Sequence, residues 1–194
     1  MSWLQTAKDL VPCPRPLVLP ERFKQAKLSD LPEGTLKDTA QDYLKQFLVK
    51  AEQGIAPLFI GRARTWKTYA ASVIANAVRY EAGLEVGFVE CPVELNALER
   101  VRFTTGTDQR IAEYQSVPFL VLDDFAEVRQ GTYGEQVLLE IVSARHARMK
   151  PTLFTGNIQL ATGSNQFAPL VARFGPMFAR RVADGSEGFR VAIY

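Results

Sequence analysis

The sequence is poor in the residues that build metal centres and covalent frameworks. Its 194 residues include two cysteines, Cys13 and Cys91, and one histidine, His146. The cysteines have no motif spacing, which excludes a disulfide scaffold and leaves no zinc-ligand set. An excess of one charge is also missing: 23 Lys and Arg stand against 21 Asp and Glu, a formal net charge of +2. No strong basic field advertises nucleic acid, so any DNA affinity has to come from a local patch. No apolar run approaches the roughly 20 residues that span a bilayer. The start, Met1-Ser2-Trp3-Leu4-Gln5, does not read as a signal peptide. What is present, 47% hydrophobic and 23% charged residues, excludes disorder and fits one globular domain. The expectation is a soluble, cytoplasmic protein with no membrane partner.

Residues 1–35 are rich in proline, with Pro12, Pro14, Pro16, Pro20 and Pro32. They predict an extended arm over Cys13–Leu19 and a short helix around Glu21–Lys27. Residues 36–194 read as the core. Leu36, Ala40, Tyr43, Leu44, Phe47 and Leu48 fall at helical spacing, and that helix runs to Gln53 before Gly54. Strands are predicted at Pro57–Gly61, Glu85–Glu90, Val117–Asp124, Thr152–Gly156 and Phe189–Tyr194. Helices lie between them at Thr68–Ala82, Pro92–Gln115 (interrupted near Thr104–Thr107), Tyr133–Met149 and Ala168–Val182. Strands alternating with helices imply an α/β fold of three layers, with a five-stranded parallel sheet covered on both faces.

In such a fold ligands sit beyond the carboxyl ends of the strands. There the first strand runs into Gly61-Arg62-Ala63-Arg64-Thr65-Trp66-Lys67-Thr68. This matches the phosphate-loop pattern G-x-x-x-x-G-K-[ST] at every defined position but one. Glycine permits the turn, lysine reaches terminal phosphates, and the threonine hydroxyl coordinates magnesium. Amides of the loop and the helix N-terminus, Thr65 included, hold the anion. Trp66 replaces the second glycine, at a cost of about 1–3 kcal/mol if that position needs a left-handed backbone. Arg62 and Arg64 either add positive charge beside the phosphates, contact a nucleic-acid backbone, or are solvated surface.

The apolar strand Phe119-Leu120-Val121-Leu122 ends in Asp123 and Asp124. The first carboxylate is placed to hold magnesium and the second to orient or deprotonate an attacking water, the alternative being a helix cap or turn. Asn157, after Thr155-Gly156, offers an amide to position that water, or forms a turn. Arg173, Arg180 and Arg181 are candidates for an arginine acting on a neighbouring copy. Arg145, His146, Arg148 and Lys150 form either a cationic helix C-terminus or a small DNA-facing patch.

Together these residues resemble the AAA+ ATPases of the DnaC-type helicase loaders and the IstB-type transposition helpers. The resemblance spans Leu19 to the end. It includes Leu19-Pro20-Glu21-Arg22-Phe23, the phosphate loop with its altered glycine, Leu122-Asp123-Asp124, Leu139–Arg145, Pro151-Thr-Leu-Phe-Thr-Gly-Asn157 and Gly188-Phe189-Arg190. It implies an AAA+ core without a helical lid, binding ATP with Mg2+. Lys67 would bind phosphate, Thr68 and Asp123 magnesium, and Asp124 would be the catalytic carboxylate. Asn157 would be the first sensor and Arg181 the arginine finger. It further implies a homo-oligomer assembling on single-stranded DNA and contacting a replicative helicase or a transposase. Trp66 leaves open a non-hydrolysing adapter, and a small-molecule kinase on a related fold is the third reading.

Overall fold

A computed structural model describes residues 19–101, 105–161 and 163–193. Five strands form one parallel sheet: β1 (Leu58–Gly61), β2 (Val86–Glu90), β3 (Phe119–Asp123), β4 (Thr152–Gly156) and β5 (Arg190–Ile193). Their order across the sheet is β2-β3-β4-β1-β5. Every pairing is parallel, with Leu58 opposite Phe154 on one side and Arg190 on the other. β1, β3 and β4 are buried throughout, as near-continuous apolar runs in a doubly covered sheet require.

Alternating side chains along each strand feed two separate cores. One face carries Phe59, Val121 and Leu153 against α1 (Thr35–Lys45), α2 (Phe47–Glu52) and α3 (Lys67–Tyr80). Leu19, Ala26 and Leu31, from the leading segment, are buried in that same core. The opposite face carries Leu58, Ile60, Leu120, Leu122 and Phe154. It packs against α4 (Cys91–Val101), α5 (Thr105–Ser116), α6 (Tyr133–Ala147), α7 (Ala168–Phe174) and α8 (Pro176–Asp184).

The elements follow the sequence reading with three differences. The helix expected to run unbroken to Gln53 breaks at Gln46 (φ −108°, ψ 7°) into α1 and α2. The last predicted helix breaks at Gly175 (φ 84°), because Pro176 cannot supply the amide that would continue α7 and instead starts α8. Around Glu21–Lys27 only one 3-10 turn forms, Glu21–Phe23. The arm predicted from Cys13 lies outside the described residues up to Leu19, and so does Tyr194 at the end of the last predicted strand.

Arg145 departs most from the sequence reading. It is not part of a solvated cationic helix end: its side chain is fully buried. Its guanidinium donates to Thr152 Oγ1 (2.9 Å), to the carbonyls of Tyr114 (2.9 Å), Val117 (2.7 Å) and Pro151 (2.8 Å), and more distantly to Pro118. One side chain thus satisfies the carbonyls where α5 turns into β3 and where the loop after α6 enters β4. Burial lowers its proton affinity to about 9, which still leaves it charged at neutral pH. Arg145→Met keeps the volume but strands these acceptors in a dry core. It is expected to lower unfolding free energy by roughly 3–5 kcal/mol, read as a lower urea midpoint at unchanged slope.

Candidate functional site

The turn from β1 into α3 must reverse the chain within five residues, and three residues take positive φ to do it. Gly61 (φ 134°) lies against the last strand, where a Cβ would fall 1.8 Å from the Ile193 carbonyl oxygen. Arg64 (φ 62°) and Trp66 (φ 65°, ψ 7°) are both left-handed. Trp66 therefore holds the backbone conformation for which glycine is the usual residue. Its side chain does not fill the loop. It is 49% exposed and meets the Tyr69 ring edge-on, with centroids 5.4 Å apart. The departure from the motif is conformational strain, and no steric plug results.

Lys67, first residue of α3, is 5% exposed. Its ammonium donates to the Gly61 carbonyl (3.2 Å), the Arg62 carbonyl, Thr65 Oγ1 (3.2 Å) and Asn157 Oδ1 (3.1 Å). Burial lowers its pKa, while Asp124 and Asp123 oppose that shift. The lysine is thus folded back onto its own loop and onto the end of β4.

Thr155 orders the acidic strand end. Its hydroxyl donates to Asp123 Oδ1 and accepts from the Asp124 backbone amide (3.0 Å), so β4 fixes the Asp123 carboxylate and the backbone at Asp124. Asp124 is itself left-handed (φ 50°). Burial, with Asp124 nearby, raises Asp123 to about 6, against hydrogen bonds from Thr155 and Thr68 that favour its charged form. Burial also raises Asp124, while Lys67 and Arg22 pull it back.

A cleft of about 380 Å³ gathers Lys67, Thr68, Asp124 and Asn157 with Arg64, Thr65 and Trp66. Asp123 lies beside it through Thr68 and Thr155. Arg62 is exposed on the loop, its amide bonded to the Ile193 carbonyl. Two further lining residues, Arg22 and Phe23, were not singled out from sequence as site residues. They are brought in by Asn76 of α3, whose amide donates to the carbonyls of Phe23, Lys24 and Ala26. The Arg22 guanidinium lies 4.6 Å from the Phe23 ring centroid, and Phe23 meets Tyr69 edge-on. Their only sequence signal was a charged-aromatic pair after Pro20.

The three candidate arginines lie elsewhere. Arg173 is committed to Glu135 and the Val128 carbonyl, 4.3 Å from the Phe174 ring centroid. Arg180 is exposed and pairs with Asp184 at 3.6 Å. Arg181 borders a small crevice with Gly54, His146, Lys150 and Thr152, at the amino edge of the sheet and away from the phosphate loop. Any role for Arg181 at a phosphate therefore requires a second copy.

The donor set suits a polyphosphate with a divalent cation. Cations and the α3 N-terminus face one side of the cleft, and carboxylates close the other. Among the described residues no group of three or more His, Cys, Asp or Glu gathers to hold a metal ion. A cation here would therefore complete its shell with phosphate oxygens and water, as magnesium does.

No protein-family model matches the chain, and no curated protein matches it. Solved structures do. The crystal structure of the DnaC helicase loader superposes with a TM-score of 0.77 at 20% identity, covering 90% of this chain and 100% of that one. The crystal structure of DnaI gives 0.76 at 19% identity, over 92% and 96%. AMPPCP-bound DnaA from Aquifex aeolicus gives 0.67 at 16% identity, over 87% of this chain and 50% of DnaA. The chain therefore shares the fold of these DnaC, DnaI and DnaA structures. Among the described residues no helix is long and apolar enough to cross a membrane.

Asp123 supplies a stability test of the site. Its folded-state pKa lies above the ordinary 3.8, so between about pH 4 and 6 the native state binds this proton more tightly than the unfolded chain. Its contribution therefore falls as pH rises through that window and stays unfavourable above it. Asp123→Asn is expected to stabilise the protein by roughly 1–3 kcal/mol at pH 7, a gain that fades toward pH 4. Thermal unfolding across that range measures it.

Proposed function

We propose that this protein is an AAA+ ATPase of DNA replication or transposition, which binds ATP with magnesium and assembles with further copies on single-stranded DNA to load or regulate a helicase or transposase. One observation carries the reading. Trp66 keeps the left-handed backbone of a phosphate loop with its half-exposed side chain at the cleft wall, so Lys67, Thr68, Asp124 and Asn157 converge on one open cleft.

In this reading Lys67 leaves its loop carbonyls to hold the terminal phosphates, assisted by Arg64 and Arg22 at the cleft wall. Thr68 and Asp123 would hold magnesium, which supplies charge neutralisation on the phosphate oxygens. Asp124, whose backbone amide is held by Thr155 Oγ1, accepts the proton of the attacking water. Asn157 orients that water and senses the lysine through the contact it already makes. Arg181 serves the site of the next copy. The likeness in fold to DnaC, a named helicase loader, supports the partner class.

The adapter reading is favoured by a different observation: Lys67 is already saturated by Gly61, Arg62, Thr65 and Asn157. Titration with a fluorescent ATP analogue and magnesium separates the two. The ATPase reading expects saturable binding, weakened roughly tenfold or more in Lys67→Ala. Asp124→Asn is expected to bind ATP and lose about 10²–10⁴-fold in turnover measured with single-stranded DNA. Absence of binding at millimolar nucleotide, with partner capture intact in Lys67→Ala, assigns the adapter role.

A further inference from the structure

The cleft beside Lys67 has more wall than phosphates and a cation use. Its volume, about 380 Å³, falls within the roughly 300–1,000 Å³ of small-molecule sites, and its lining divides into two chemistries. Lys67, Thr68, Asp124 and Asn157 are the polar set already described. Phe23, Trp66 and Tyr69, with the Arg22 guanidinium, are the other. A bare polyphosphate makes no use of aromatic rings.

The rings are contiguous. Arg22 lies 4.6 Å from the Phe23 ring centroid, Phe23 meets Tyr69 edge-on at 6.0 Å, and Tyr69 meets Trp66 edge-on at 5.4 Å. Trp66 caps α3 and Tyr69 follows three residues on, which sets their rings side by side. Arg22 and Phe23 come from the leading segment, which Asn76 of α3 holds in place. Trp66 is half-exposed where it lines the cleft, so part of its ring face is left for a ligand to cover.

Polar groups beside the rings are engaged with one another. The Tyr69 hydroxyl donates to Asp30 Oδ2 (2.8 Å) and accepts from the Lys27 amide (3.4 Å). The Phe23 amide donates to the Pro20 carbonyl (2.8 Å), and the Phe23 carbonyl accepts from the Ala26 amide (3.0 Å) and from Asn76 (3.2 Å). What the wall presents is ring faces and one planar cation, a surface that takes a flat heteroaromatic ring by stacking. Edge hydrogen bonds tell one base from another, whereas stacking is tolerant because every base has a π-face. The bonds from Tyr69 and Asn76 also fix the segment before a ligand arrives, so little ordering entropy is lost on binding.

We propose that Arg22, Phe23, Trp66 and Tyr69 form a nucleobase subsite, which seats the base of a nucleoside triphosphate by stacking and accepts adenine and guanine alike. The inference rests on the reading of the loop as a phosphate site and adds the class of ligand: purine nucleoside triphosphates in general. It also gives the side chain at position 66 a function that a glycine there could not perform.

Calorimetric titration of the full-length chain with magnesium and ATP, GTP or inorganic tripolyphosphate tests the subsite. ATP and GTP are expected to bind within about threefold of each other, and each roughly tenfold or more tighter than tripolyphosphate. Trp66→Ala keeps a β-carbon at the left-handed position, so it removes the ring without relieving the backbone. It is expected to shrink the ratio of ATP to tripolyphosphate affinity several-fold. Phe23→Leu is expected to act in the same direction, with far-UV circular dichroism checking that both variants fold. Trp3 and Trp66 are the two tryptophans, so in Trp3→Phe both nucleotides, and not tripolyphosphate, should quench the remaining emission. Tripolyphosphate binding as tightly as ATP, a tenfold preference between ATP and GTP, or a ratio unchanged in Trp66→Ala would each overturn the subsite and leave the phosphate site standing. Binding of none of the three ligands would overturn the phosphate-site reading itself, and the subsite with it.

Discussion

The sheet can present a ligand site only because the chain after β1 reverses within five residues, and a left-handed backbone at Trp66 completes that reversal. From it follow the start of α3 at Lys67, the burial of that lysine beneath the loop, and the facing position of Asp123 and Asp124 across from it. A right-handed residue at position 66 would rotate α3 away from the sheet, taking Ala70, Ala71, Ile74 and Ala75 out of the core that they fill. Strain at one residue is thus held by the packing of an entire helix. That is how a tryptophan can occupy a position where the motif has glycine.

The second organising element is Thr155. Strand β4 contributes no charge to the site, yet its hydroxyl ties the Asp123 carboxylate to the Asp124 backbone amide, and its neighbour Asn157 meets the lysine of α3. Three adjacent strands in the order β3-β4-β1 are thereby joined at their carboxyl ends by side chains as well as by backbone. Arg145 does the corresponding work at the amino ends of β3 and β4, with one buried cation in place of a hydroxyl.

The strands and most helices were legible in the sequence because short apolar runs such as Phe119–Leu122 and helical spacing such as Val137, Leu138, Ile141 and Val142 report burial directly. The turn from β1 into α3 and the acidic strand end were legible as spacing. Less visible was whatever depends on partners distant in sequence. Arg145 looks like any arginine near a helix end until five acceptors converge on it. Arg22 and Phe23 reach the cleft only because Asn76, some fifty residues later, holds their backbone. The break at Gln46 has no glycine or proline to announce it. The break at Gly175-Pro176 did carry such a signal, one that the apolar spacing of the flanking residues obscured.

The self-bonded lysine has a consequence for how the loop responds to anions. With Lys67 bonded to its own loop and to Asn157, a phosphate entering under the proposed function would not fill a waiting socket; it would compete for a cation already engaged. Occupancy would then be an exchange of acceptors, with an affinity set by the difference between two well-satisfied arrangements. Each exchange would free the Asn157 amide at the end of β4, next to the chain that leads into α7 and α8. Under the proposed function the loop would act as a two-position relay.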